Sequence, residues 1–136
     1  GDLLQPYIVS KIVSADGKEK TIKPKKQGKI INDITSAIMK KMLVAVVEEG
    51  EVKWARPKGY SLGGKTGTAQ VPIKGHYDPQ KTIASFIGFG PGKDPQFLVL
   101  VILRQPKTSP WGSETAAPLF FEIAKELLVY YNIAPD

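Results

Sequence analysis

No cysteine occurs in the 136 residues. That excludes disulfide frameworks and thiolate zinc sites, and it leaves the compartment open, since a chain without thiols fits either side of a membrane. No stretch approaches the roughly eighteen apolar residues of a membrane-spanning helix, and Gly1-Asp2-Leu3-Leu4-Gln5 is no signal peptide. Histidine is nearly absent. His76 stands alone in the turn-rich connection Gly75-His76-Tyr77-Asp78-Pro79, with no second His or Cys to share a metal, and reads as a surface residue. There is no internal repeat and no low-complexity tract.

What is present describes one globular domain. Apolar residues make up 42% and charged residues 24%, so the chain is not disordered, and at this length it can bury roughly two-thirds of its unfolded surface. Gly1 followed directly by mid-domain sequence suggests a piece of a longer chain. The net charge of +6 is concentrated near the start, where the first thirty residues hold seven lysines against three acidic residues. Such a patch can meet nucleic acid or an anionic surface. No aromatic side chains interleave with these lysines, so the patch reads as a solvated hairpin tip with no nucleic-acid partner.

The first element is a basic β-hairpin. Residues 7–14 are rich in β-branched side chains, Asp16-Gly17 is a tight-turn signal, and residues 20–23 return before Pro24 stops the strand. Asn32 and Asp33 are N-cap candidates for a helix over 33–49. Its stripe of Ile34, Ile38, Met42, Ala45 and Val46 is expected to face the core, with the methionines as filler, and Gly50 ends it. Residues 51–59 read as a loop with Trp54 packed beneath it. Strands follow over about 62–72, 82–89 and 97–103. The last is an uninterrupted apolar run, as expected of a strand covered on both faces, and a short Gly/Pro loop makes it the antiparallel neighbour of the second. After a loop over 105–115, Pro118 in a first turn and Phe120, Ile123, Ala124, Leu127 and Tyr131 mark a second helix over about 116–131. The fold class is α+β, a mostly antiparallel sheet flanked by helices.

The chemistry concentrates in Ser61-Leu62-Gly63-Gly64-Lys65-Thr66-Gly67-Thr68-Ala69-Gln70-Val71-Pro72. Gly59, Gly64, Lys65 and Thr66 formally satisfy the phosphate-cradling pattern G-x-x-x-x-G-K-[ST]. A phosphate cradle needs a helix that opens at the Lys-Thr pair, because the helix N-terminus supplies the N–H groups and the dipole. Gly67, two β-branched residues and Pro72 oppose a helix there. As a strand, the stretch places Lys65 and Gly67 on one face and Thr66 and Thr68 on the other, unless twist or a bulge at the glycine brings them round together. Gly67 would let another backbone approach closely, and a free strand edge can add an extended peptide.

Lys65-Thr66-Gly67-Thr68-Ala69-Gln70 resembles the Lys-Thr-Gly box of class B penicillin-binding proteins, a type of motif shared with the β-lactamases. Leu4-Gln5-Pro6-Tyr7-Ile8-Val9 resembles the segment after that family's second box. Residues 82–91 and 97–101 resemble its next two strands, and Ala116-Ala117-Pro118-Leu119-Phe120 through Leu128 its closing helix. The resemblance implies part of a peptidoglycan D,D-transpeptidase, which acylates an active-site serine with a D-Ala-D-Ala stem peptide and is trapped by β-lactam antibiotics. It implies that Lys65 biases the proton network and field around that serine. Thr66 and Thr68 would bind the substrate carboxylate, with Gln70 a further substrate contact. Gly67 would permit close approach, and the Thr68 N–H would be an oxyanion donor. No cofactor or metal is implied. The family's location would be the outer face of the bacterial cell membrane, held by an N-terminal helix outside this sequence.

One departure is decisive for the isolated chain. None of Ser10, Ser14, Ser36, Ser61, Ser85, Ser109 or Ser113 has Lys three residues on or Asn two residues on, so the family's Ser-x-x-Lys and Ser-x-Asn boxes are missing. The expectation is a single unit over 1–136 that forms the C-terminal portion of a transpeptidase domain, inactive alone. Its expected partner is the nucleophile-bearing N-terminal portion, and uncovered apolar surface would favour self-association. A non-catalytic module that binds peptide or protein along the same strand edge is the alternative.

Overall fold

A computed structural model describes residues 1–136, apart from the side chain of Pro79. The chain divides into two compact units, Gly1–Ile38 and Met39–Asp136.

In the first unit β1 (Asp2–Gln5) pairs antiparallel with β4 (Lys25–Lys29), and β2 (Lys11–Val13) with β3 (Glu19–Thr21). The β2–β3 hairpin is the predicted basic one, closed at Gly17 with φ +80°. It is shorter than predicted, because Tyr7–Ser10 is not strand. The register Lys11↔Thr21, if continued, would set Ile8 against Pro24, which has no N–H to give. Pro24 does not end the pairing altogether, since Lys25–Lys29 goes on to bond β1. Four of the seven lysines are held in ion pairs: Lys11–Glu19 and Lys18–Asp16 on the hairpin, and Lys26–Asp2 and Lys29–Asp33 on β4, outside the expected tip. Hydrogen bonds from Lys26, Lys18 and Lys29 hold the carboxyls of Asp2, Asp16 and Asp33 below their ordinary range.

α1 covers Asp33–Glu49 and ends at Gly50, as predicted. Asn32 caps it, accepting from the Thr35 N–H through Oδ1 at 2.7 Å. Its expected core stripe is a correction. Ile34, Ile38, Met42, Ala45 and Val46 are exposed, and the methionines fill no core, with Met39 44% and Met42 57% accessible. The buried residue is Val47, flanked by half-buried Leu43 and Val44. The helix is apolar almost all round, so its period does not say which arc is covered.

The second unit is built on one sheet, order β5-β6-β7, with β5 (Gly63–Ile73), β6 (His76–Gly90) and β7 (Phe97–Arg104) antiparallel. A two-residue turn at Lys74-Gly75, both with positive φ, joins β5 to β6. The connection expected over 75–79 is therefore strand from His76 onward, where His76 and Tyr77 pair with Ile73 and Pro72. His76 is exposed, as expected. Along β6 the alternation is clean: Thr82, Ala84, Phe86, Gly88 and Gly90 are buried and the intervening residues are not.

α2 (Ala116–Tyr130) covers that buried face. The Phe86 ring lies 4.9 Å from Phe120 and 5.7 Å from Phe121, and a Cβ on Gly88 would run into Phe120. Val47, Val52, Leu62 and Val101 complete the core. Only one face of the sheet is covered. On β7 Val101 is buried and Val99 and Leu103 are half-buried, while Leu98, Leu100 and Ile102 are exposed, Leu98 to 67%. The reading of β7 as covered on both faces is thus corrected. So is that of Trp54, which is 65% exposed rather than packed beneath its loop.

Candidate functional site

β5 is the edge strand of its sheet. β6 occupies one side, and no strand among the described residues pairs with the other. Gly63 to Gln70 pairs continuously with β6, the register shifting only between Gln70 and Pro72. No bulge therefore occurs at Gly67, and Lys65 and Gly67 keep the opposite face from Thr66 and Thr68.

Lys65 still reaches round. Its ammonium donates to Thr66 Oγ1 at 3.1 Å and to the Thr66 carbonyl at 3.2 Å. No ion pair among the described residues involves it. Thr68 is engaged from the other direction, its Oγ1 accepting from the Gly112 N–H at 3.2 Å. Each hydroxyl thus accepts one hydrogen bond and keeps its own proton to give. Two hydroxyl donors and a lysine ammonium on one strand are suited to an anion.

Among the described residues, the motif side chains line two separate spaces. Lys65 and Thr66 line a space of about 240 Å³ with Val46, Gly50, Glu51 and Val52. Thr68 and Gln70 line another of about 570 Å³ with Tyr77, Thr82 and Trp111 among its walls. Gly67 lies between them. A Cβ there would stand 2.6 Å from Ser85 Oγ, which donates to the Gly67 carbonyl at 3.3 Å.

Sequence reasoning missed the loop that backs this strand. Gly112 is buried, and a Cβ on it would meet the carbonyl oxygens of Ser85 at 2.5 Å and Gly67 at 2.7 Å. Both obstacles are backbone and cannot rotate away. Gly112→Ala is expected to push the loop off the sheet, break the bond to Thr68 and destabilise the unit by about 1–3 kcal/mol. A urea midpoint unchanged from the wild type would contradict this. Nothing in the local pattern Pro110-Trp111-Gly112-Ser113 distinguishes it from an ordinary turn, because its partners lie far away in sequence.

The sheet order, the edge position of the Lys-Thr-Gly strand and the closing helix can be set beside known proteins. The family model for the penicillin binding protein transpeptidase domain matches residues 1–125. This chain belongs to that family. It is 37% identical over 139 residues to stage V sporulation protein D of Bacillus subtilis, covering 99% of this chain and 21% of that protein. It is 32% identical over 154 residues to peptidoglycan D,D-transpeptidase FtsI of Buchnera aphidicola, covering 100% of this chain and 26% of the relative. Penicillin-binding protein 3 of Mycobacterium tuberculosis, in a structure complexed with ampicillin, superposes with a TM-score of 0.86 at 28% identity, over 100% of this chain and 32% of that one. The chain thus spans about a fifth to a quarter of the curated relatives' length and a third of the solved neighbour's. It is homologous to class B penicillin-binding proteins and shares their α+β fold.

Proposed function

We propose that β5 is the substrate-binding strand of a peptidoglycan D,D-transpeptidase, and that the serine it serves lies in another part of the same domain. The observation that carries this reading is the free edge of β5, with Lys65 bonded to Thr66 and both threonine hydroxyls left with a proton to donate. The carboxylate of a D-Ala-D-Ala terminus, or of a β-lactam that mimics it, is bound by Thr66 and Thr68 and drawn by the Lys65 charge. The peptide lies along the strand edge, with Gly67 clearing its path and Gln70 a further contact. The serine oxygen attacks the penultimate carbonyl, whose developing oxyanion is met by the Thr68 N–H. The terminal D-Ala leaves with a proton on its nitrogen, and an acceptor amine then displaces the serine. The chain is inactive alone.

The unmatched faces support the same division of labour. The exposed side of β7 and the stripe on α1 are apolar surfaces that the nucleophile-bearing portion of the domain covers. Without it, the purified chain is expected to self-associate. A clean monomer by light scattering at tens of micromolar would count against that. The domain works at the outer face of the cell membrane, anchored from outside this sequence. No helix of the described residues is long and apolar enough to cross a membrane.

Mixing the chain with the nucleophile-bearing portion is the test. Recovery of acylation by a fluorescent penicillin is expected. The phosphate-cradle pattern has no helix behind it, because Lys65 and Thr66 lie within a strand. Thermal stabilisation by Mg-ATP with no recovery of acylation would overturn the transpeptidase reading.

A further inference from the structure

The segment after α2 lies beyond the residues the family model matches, yet it returns to the point where the substrate strand begins. The Asp136 N–H donates to the Gly59 carbonyl at 2.8 Å, and the Asp136 carboxylate accepts from the Ser61 N–H at 2.6 Å. The Tyr60 hydroxyl donates to the Ile133 carbonyl at 3.4 Å. Gly59 makes this approach possible: its φ of +78° turns the chain, and Pro135 packs against the place where a Cβ would stand.

Ser61 is held from its other side as well. Its carbonyl accepts from the Gly92 N–H at 2.8 Å, in the loop between β6 and β7. Both backbone polar groups of Ser61 are therefore taken, one by a carboxylate and one by a loop of the sheet. Leu62, 1% exposed, follows at once, and β5 starts at Gly63. A hydrogen bond to an ionised acceptor is roughly twice as strong as a neutral one. Between this fixed point and Lys65 lie only the buried Leu62 and the paired Gly63 and Gly64, with no loop to absorb a displacement.

We propose that Asp136 is a positioning residue: it fixes where β5 begins and, through that strand, where Lys65 and Thr66 stand. Calling the strand substrate-binding rests on the function proposed above, but the clamp itself does not. The competing account is that burial of Leu62 alone anchors the strand.

Residue-resolved amide hydrogen exchange on the full 136-residue chain separates the two. Asp136→Ala is expected to speed exchange roughly tenfold at Ser61 and over Gly63–Thr66, while the β7 amides of Leu98–Ile102 keep their wild-type rates. Asp136→Asn keeps an acceptor oxygen and is expected to restore most of the protection. Unchanged exchange in Asp136→Ala overturns the proposal. So does an equal rise in β5 and β7, which marks a global loss of stability, or an Asn variant no better protected than Ala. No ligand is needed, so these outcomes judge the clamp whether or not penicillin acylates the assembled domain. Wild-type acylation, measured separately, judges the substrate-strand reading.

Discussion

In a transpeptidase domain assembled from this chain and its nucleophile-bearing portion, Lys65→Ala is expected to lower the second-order rate of penicillin acylation by about 10²–10³-fold. The argument is electrostatic. The lysine ammonium already sits 3.1 Å from Thr66 Oγ1, so it is placed at the strand edge before any ligand arrives. Charge aligned in advance costs no reorganisation when negative charge develops, which is why removal of one such donor is expensive in rate. Lys65 is exposed, so its loss should move stability by no more than about 0.5 kcal/mol. The signature is a large kinetic loss on an unchanged melting temperature. A loss of less than threefold would show that the strand is not where the ligand's charge is met.

The largest effect on stability is expected at Phe86→Ala. This ring is fully buried and packs on both Phe120 and Phe121, so truncation leaves a cavity between sheet and helix that costs about 3–5 kcal/mol. Against a total of about 5–15 kcal/mol, that would leave the unit marginal. Leu100→Ala is the matched control. Leu100 lies on the uncovered face of the neighbouring strand, opposite Ile87, and its truncation should cost the chain under about 1 kcal/mol when it is diluted below the concentration of self-association. Urea midpoints for the pair read the two faces of the sheet directly. Equal losses at both positions would mean that the exposed face is covered in solution.

Much of this architecture is legible from periodicity. The alternation over 82–89, the Asn32 cap and the Phe120/Ala124 face of α2 each point to the observed element, because local sequence and burial agree there. Two predictions failed for one physical reason. α1 and β7 carry apolar side chains on both of their faces, so the pattern identifies the element but not the side that is covered. β1 and β4 were missed because Lys25-Lys26-Gln27-Gly28-Lys29 has no apolar alternation, and its strand is made by backbone pairing with Asp2–Gln5.

The proposed site at Lys65, Thr66, Gly67, Thr68 and Gln70 is read from side-chain type. The supporting contacts of Gly112 and Asp136 were not legible in the sequence. These residues act through hydrogen bonds 44 and 75 positions away in sequence, to the Thr68 hydroxyl and the Ser61 N–H, and no spacing rule reaches that far.

The central claim is that this chain contributes a substrate-binding wall and no nucleophile. The most direct test is to find which polypeptide carries the adduct when the two portions are mixed with a fluorescent penicillin and separated under denaturing conditions. The account predicts a labelled band at the nucleophile-bearing portion and none at the 136-residue chain, with or without its partner. A covalent band on the 136-residue chain itself would contradict it.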